Sequence, residues 1–230
     1  MIFSKETLEP QLEELIKYSP ELTVAFRKKD KVILSGNIFV DLKHCDYRVK
    51  QQYSIEITVP LYSEELPFVI DKGEYISKKY PHLYKNGRLC LETDTAIRFR
   101  FADGFDLVSW MKEYVEIYFF SYEYFMKYHT FPFGDRSHGT EGVLQTYMDI
   151  LNTKDYIQTF EVMSYVSLCA YRGHVLCPCG SDIRLRDCHG DILLSIFKNP
   201  KKIEILKNDY NMLNKELMAY RRNLKQTKRS

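Results

Sequence analysis

Cys90 closes the run Asn86-Gly87-Arg88-Leu89-Cys90-Leu91, and His82 lies eight residues before it in Tyr80-Pro81-His82. A thiol and an imidazole on one short stretch are the parts of nucleophilic acyl chemistry. The sulfur attacks a carbonyl, and the imidazole moves a proton or donates to the developing oxyanion. Pro81 stiffens the approach and Gly87 permits a turn, so loop shape places the pair. A lone cysteine is more often a small buried hydrophobe, so the meaning of Cys90 depends on its neighbours.

A second cluster asks for different chemistry. Cys177-Pro178-Cys179-Gly180-Ser181 is followed by Cys188-His189-Gly190, which brings three thiols and an imidazole within thirteen positions. Three thiolates and one imidazole complete a tetrahedral set, so a metal held there has no coordination position left for water and its role is structural. The competing reading is a set of unliganded core cysteines. The six cysteines, at 45, 90, 169, 177, 179 and 188, are too crowded toward one end for a disulfide framework, and reduced thiols with a metal fit them better. Cys169 is expected in the core and His174 at the surface.

Both motifs carry family resemblances. The run from Pro81 to Leu91 resembles the His-Pro-Asn … Asn-Gly-x-Ile-Cys-Leu signature of ubiquitin-conjugating enzymes, with Cys90 on the thioester cysteine. Ile55 to Tyr62, then Pro67 to Ile70, resemble that family's strand, Pro-x-x-Tyr turn and next strand. The likeness extends over roughly residues 1–130 and is concentrated in the loop. It departs from the eukaryotic pattern where His82 replaces the Asn associated with the oxyanion and Tyr80 replaces the His. An imidazole N–H can serve as such a donor and adds a titratable group. The variation resembles divergent bacterial conjugating enzymes, some of them found beside antiphage signalling enzymes. Residues 177–190 resemble the SEC-C zinc motif of the SecA translocation ATPase tail, which implies structural Zn2+ on Cys177, Cys179, Cys188 and His189.

The first resemblance implies a transferase that receives a ubiquitin-like or other small protein modifier from an activating-enzyme-like partner, holds it as a thioester on Cys90, and passes it to an amine on a protein acceptor. Cys90 is then the nucleophile, His82 the oxyanion donor or polar positioner, and Asn86 with Gly87 the shapers of the loop. His138, in the turn-rich stretch Phe131 to Gly139, is a candidate for helping to deprotonate the incoming amine; the plainer reading is a loop joining two helices. The chain has neither a Gly-x-x-x-x-Gly-Lys-Ser/Thr loop nor a Gly-x-Gly-x-x-Gly run, so activation belongs to a partner. Two other classes compete: a conjugating-enzyme-like scaffold without transfer, and a zinc-containing nucleic-acid-binding protein.

The elements that must position these groups read as an α+β fold. Leu8, Leu12, Leu15 and Ile16 have helical spacing after Ser4 and before Pro20. Leu22–Arg27, Val32–Asp41, Tyr53–Val59 and Phe68–Ile70 read as a four-stranded antiparallel meander. Thr95–Phe101 alternates and is expected to be extended. A long helix follows over Asp106–Tyr128, its apolar face built from Leu107, Trp110, Met111, Tyr114, Ile117, Tyr118, Phe125 and Tyr128. Glu141–Leu151 and Tyr156–Ala170 are expected to be helical. Ile203, Leu206, Tyr210, Leu213, Leu217, Tyr220 and Leu224 step three and four in turn, a heptad seam within an amphipathic helix over 200–226. That seam fits docking on the zinc region, a second copy of the chain, or a partner's helix. The expected organisation is a conjugating-enzyme-like core over 1–152 and a helical zinc-binding appendage over 153–230.

Composition sets the remaining bounds. The 230 residues are 45% hydrophobic and 28% charged, ordinary for a globular chain, and eighteen Tyr and fourteen Phe against one Trp give an aromatic-rich interior. Net charge is +2, but Lys198–Ser230 carries ten Lys or Arg against three Asp or Glu, a net +7 that leaves −5 on residues 1–197. The excess is confined to a helical tail whose C-terminal end suits positive charge, which argues against nucleic acid as partner. The first residues carry no apolar signal segment and no window nears the ~18 apolar residues of a membrane span, so a cytoplasmic protein is expected.

Overall fold

The computed structural model describes residues 2–227, with side chains described through residue 219. The chain is α+β and divides into two compact units, Met1–Glu92 with Gly104–Asp135, and Thr93–Asp103 with Arg136–Ser230. The chain therefore crosses between units more than once, whereas the sequence reading placed one boundary at 152. Packing accounts for the difference: Phe99, Tyr147 and Leu151 all lie in the hydrophobic core of the second unit.

The first unit opens with α1 (Lys5–Tyr18), whose first turn is closed by a capping box between Ser4 and Thr7 and whose Leu8, Leu12 and Leu15 are buried. Strands β1 (Leu22–Arg27), β2 (Lys31–His44), β3 (Tyr47–Pro60) and β4 (Phe68–Asp71) form one antiparallel sheet in sequence order. The β2–β3 hairpin runs in unbroken register from Lys31↔Pro60 to His44↔Tyr47, well past the expected strand ends. In its distal part Val40 and Val49 are buried on one face, while the Arg48–Asp41 pair lies on the other, so the alternation continues past the expected ends. Gly36 has no substitute where β1 meets β2, because a Cβ there would lie 2.0 Å from the Glu21 carbonyl oxygen.

The expected long helix is present from Leu107 to Tyr128, as α3 (Leu107–Trp110), a π-turn (Met111–Val115) and α4 (Glu116–Tyr128), with the Asp106 side chain capping its start. The extra residue of the π-turn rotates the face that follows. Val115, Phe119, Phe120 and Tyr122 are therefore buried, while Tyr114 and Ile117 are only half-buried and Tyr128 is exposed. α4 packs on β2 and β3, and Phe119 stacks on Tyr53 of β3 at 4.2 Å between ring centroids.

The second unit is helical. Its first element is α2 (Asp94–Arg100), where an extended segment was expected; the Thr93 hydroxyl accepts from the Ala96 N–H and starts the helix. Thr95, Ile97 and Phe99 are buried, so burial alternates along a helix of seven residues. In so short a piece a period of two and a period of 3.6 look alike. Next come α5 (Gly139–Leu151), α6 (Tyr156–Leu168), a 3₁₀ turn (Leu185–Asp187), α7 (Gly190–Phe197) and α8 (Pro200–Thr227). Cys169 sits just past the end of α6 and is exposed, not in the core as expected, because the chain leaves the helix there in extended conformation. His174 is exposed, as expected.

The heptad seam of α8 is used within its own unit. Leu206, Tyr210 and Leu213 are buried with Ile205, and the helix packs on α2, α6 and α7. Leu217 is half-buried. The side chains of Tyr220 and Leu224 lie outside the described residues, as do those of the basic residues 221, 222 and 225 and all of 228 and 229. Among the described residues, no helix is long and apolar enough to cross a membrane.

Candidate functional site

The Cys90 loop is fastened to the sheet edge by its backbone. Leu89 N–H donates to Val69 O of β4 at 2.9 Å, and isolated bridges pair Arg88 with Ile70 and Leu89 with Leu83. Gly87 takes φ +83°, and the Asn86 side-chain oxygen accepts from the Arg88 N–H at 3.1 Å, an Asx turn that sets the bend before the thiol. Asn86 is exposed and acts on loop shape.

Cys90 and His82 are joined through one carbonyl. The Cys90 N–H donates to His82 O at 2.8 Å, and the Tyr118 hydroxyl of α4 donates to the same oxygen at 3.1 Å. A ring nitrogen of His82 lies within 4.8 Å of the Cys90 sulfur. Cys90 is half-buried, and the His82 side chain is 15% exposed. Sequence reasoning placed these two together, and the structure puts them side by side.

The imidazole is fixed on its other sides as well. It meets the edges of Tyr80 and Phe131 at centroid distances of 5.7 and 5.0 Å, and its Nε2 lies 3.2 Å from Asp135 Oδ1. Tyr80 is buried beneath α4, packed edge-on to Tyr118 and Tyr122. Burial first, then the nearby charges of Asp135 and Cys90, push its phenol well above the ordinary range. Tyr118 is pushed up in the same way, with burial again the leading cause. Both rings therefore stay neutral and act as packing and hydrogen-bonding groups. Tyr122 completes the support by donating to Tyr75 O at 2.8 Å and accepting from Ser77 N–H.

Asp135 and Tyr118 are the residues that sequence reasoning missed. Tyr118 looked like one more ring in an aromatic stripe. Asp135 lies three residues before His138 in the stretch Phe131 to Gly139, where the imidazole drew the attention. His138 itself is exposed and belongs to the second unit, immediately before α5.

The second unit assembles the Cys/His cluster. The four ligand atoms of Cys177, Cys179, Cys188 and His189 all lie within 4.8 Å of one another. Cys179 Sγ and Cys188 Sγ are 3.6 Å apart, and His189 Nδ1 is 3.2 Å from both Cys177 Sγ and Cys188 Sγ. A tetrahedral ion with metal–sulfur bonds of about 2.3 Å needs edges of about 3.7 Å between sulfurs, so the cluster is sized to hold one. Cys177-Cys179 enters by a turn in which Gly180 takes φ +77° and its N–H reaches back to Cys177 O, while Cys188-His189 enters from the 3₁₀ turn before α7.

The tautomer of His189 is also set. Its Nε2 faces Asn152 O at 3.3 Å, so Nε2 carries the proton and Nδ1 presents its lone pair toward the sulfurs. Asn152 offers that carbonyl because it ends α5 in the left-handed conformation, with φ 53°. Burial pushes the Cys177 thiol up to about 12. Burial also raises Cys179, but hydrogen bonds from Ser181 and the neighbouring thiols outweigh it and bring that group down to about 7. Three sulfurs this close ionise together only when a cation offsets their charge.

Compared with known proteins, the chain matches no family model, no curated protein and no solved structure.

Proposed function

We propose that the first unit is a ubiquitin-conjugating-enzyme-like transferase, carrying a ubiquitin-like or other small protein modifier as a thioester on Cys90 and passing it to an amine on a protein acceptor. The observation that carries this reading is the half-buried Cys90 sulfur beside the His82 ring, on a loop bonded to the sheet edge. A sealed structural cysteine needs no such neighbour. The order helix, antiparallel meander, thiol loop and helix also agrees with the resemblance in residues 81–91. An activating-enzyme-like partner supplies the thioester, and a bacterial antiphage conjugation system is the setting that the His82 variation suggests.

A half-buried thiol is accessible to a carbonyl while being partly shielded from water, which favours aminolysis over hydrolysis of the acyl group. His82 steadies or deprotonates at the reacting centre, and Asn86 keeps the loop in shape. The metal in the second unit is proposed to be Zn2+ in a structural role, because all four ligands come from the protein and the set is closed.

The test uses a peptide thioester as surrogate donor. Wild-type protein is expected to gain the acyl mass at Cys90 in a thiol-sensitive bond and to release it to an added amine. Cys90→Ser is expected to form no thiol-sensitive adduct. Acyl transfer that is equal in wild type and Cys90→Ser, or absent from both, contradicts the reading and leaves a binding scaffold.

A further inference from the structure

The geometry points to Asp135 as the residue that orients His82 as a proton acceptor for Cys90, so that the loop holds a Cys–His–Asp relay and not a thiol with an oxyanion donor alone. A carboxylate only accepts, so the Asp135 Oδ1 at 3.2 Å places the ring proton on Nε2. The lone pair is then on Nδ1. His82 is held by four further contacts: its carbonyl by Tyr118 and by the Cys90 N–H, and its ring by the edges of Tyr80 and Phe131. A nucleophile, a base and a group that orients the base thus occur together, all within the first unit.

Tyr80 from the loop and Tyr118 and Tyr122 from α4 surround His82 and Cys90, and Asp71 at the end of β4 acts on Tyr118. Burial keeps Tyr80 and Tyr118 neutral across the working range. Asp135 favours the charged imidazolium and thereby the thiolate–imidazolium pair over the neutral pair. Its side chain is 62% exposed, so the bias is screened by water and is worth about two- to fivefold.

The consequence deepens the proposed transfer and rests on it for its substrate. The Cys90 S–H proton passes to His82 Nδ1. The thiolate forms a bond to the carbonyl carbon of the incoming thioester, the donor's C–S bond breaks, and the departing sulfur takes the proton back from His82. One ring nitrogen of His82 is now within 4.8 Å of the sulfur, and donor binding brings Nδ1 to hydrogen-bond range.

The test needs no acyl donor, so its failure is separable from failure of the transfer reading. The rate of Cys90 alkylation by iodoacetamide is followed against pH in otherwise cysteine-intact protein, with the modified site read by peptide mass spectrometry. Wild type is expected to show a thiolate inflection below the ordinary value of about 8.5. Asp135→Asn keeps an acceptor for Nε2–H but removes the charge, and is expected to move the inflection upward and slow alkylation at pH 6.5 by about two- to fivefold. Asp135→Glu is expected to restore much of it, and His82→Asn to abolish the low inflection. A merely structural Asp135 would scale the rate equally at every pH. An inflection unchanged in Asp135→Asn, or an ordinary inflection in wild type, overturns the assignment.

Discussion

The two cysteine sites solve opposite problems. Around Cys90 a single half-buried sulfur lies beside the His82 imidazole, and the residue's own N–H is bonded to His82 O. Around Cys177 and Cys179 the sulfurs are buried, paired with one another and with His189, and face a common centre. One arrangement sets a single thiol beside an imidazole; the other gathers three thiols and an imidazole around one centre that could hold a metal ion. A cysteine's chemistry thus follows from how many others share its neighbourhood and how much water reaches it.

The largest expected effect comes from breaking the closed site. Chelation, or Cys177→Ala, is predicted to remove the metal and destabilise the second unit by more than about 4 kcal/mol, read as loss of its cooperative unfolding transition together with measured metal content. Wild type that binds no metal and unfolds identically with and without chelator would erase the contrast between the two sites.

A second effect sharpens the contrast between the carboxylates. Asp135 is largely exposed, whereas Asp209 of α8 is largely buried, accepting from the Thr95 and Tyr147 hydroxyls. Burial raises the Asp209 carboxyl above its usual range, although those hydrogen bonds pull the other way. A group raised in the folded state contributes stability below its unfolded value and loses it as pH climbs through the folded one. Asp209→Asn cannot ionise, so its stability relative to wild type should improve as pH rises across that window and then level off. Paired urea titrations from about pH 3.5 to 7 measure the difference; a gap that is flat or shrinks with pH contradicts the sign.

The smallest effect is that of Tyr118→Phe. It removes the hydroxyl from His82 O while the Cys90 N–H still occupies that acceptor, so a loss of about 0.5–1.5 kcal/mol in urea unfolding is expected. A loss of several kcal/mol would mean that Tyr118 supports much more than the loop.

What could be read from the sequence divides along the same lines. The strands, the Ser4 cap, the zinc-type ligand spacing and the Cys90–His82 pairing follow from patterns local in the chain. Elements and contacts set by packing did not show. Thr95–Phe101 alternates like a strand but is helical because Thr93 caps it and α5 and α8 pack against it. The π-turn rotates the aromatic face of α4 through a backbone shift that no residue type announces. Asp135 lies fifty-three residues from His82, and only the folded chain brings them together. Cys169 was placed on an apolar face that ends one residue too early to include it.

The central claim is that Cys90 is the activated thiol of the chain, and a competition among its six cysteines tests it most directly. In metal-loaded native protein at pH 6.5, with limiting iodoacetamide and the labelled sites mapped, Cys90 is predicted to react ahead of the exposed Cys45 and Cys169, while Cys177, Cys179 and Cys188 stay unmodified. Labelling of Cys45 and Cys169 that equals or outpaces that of Cys90 would contradict the account.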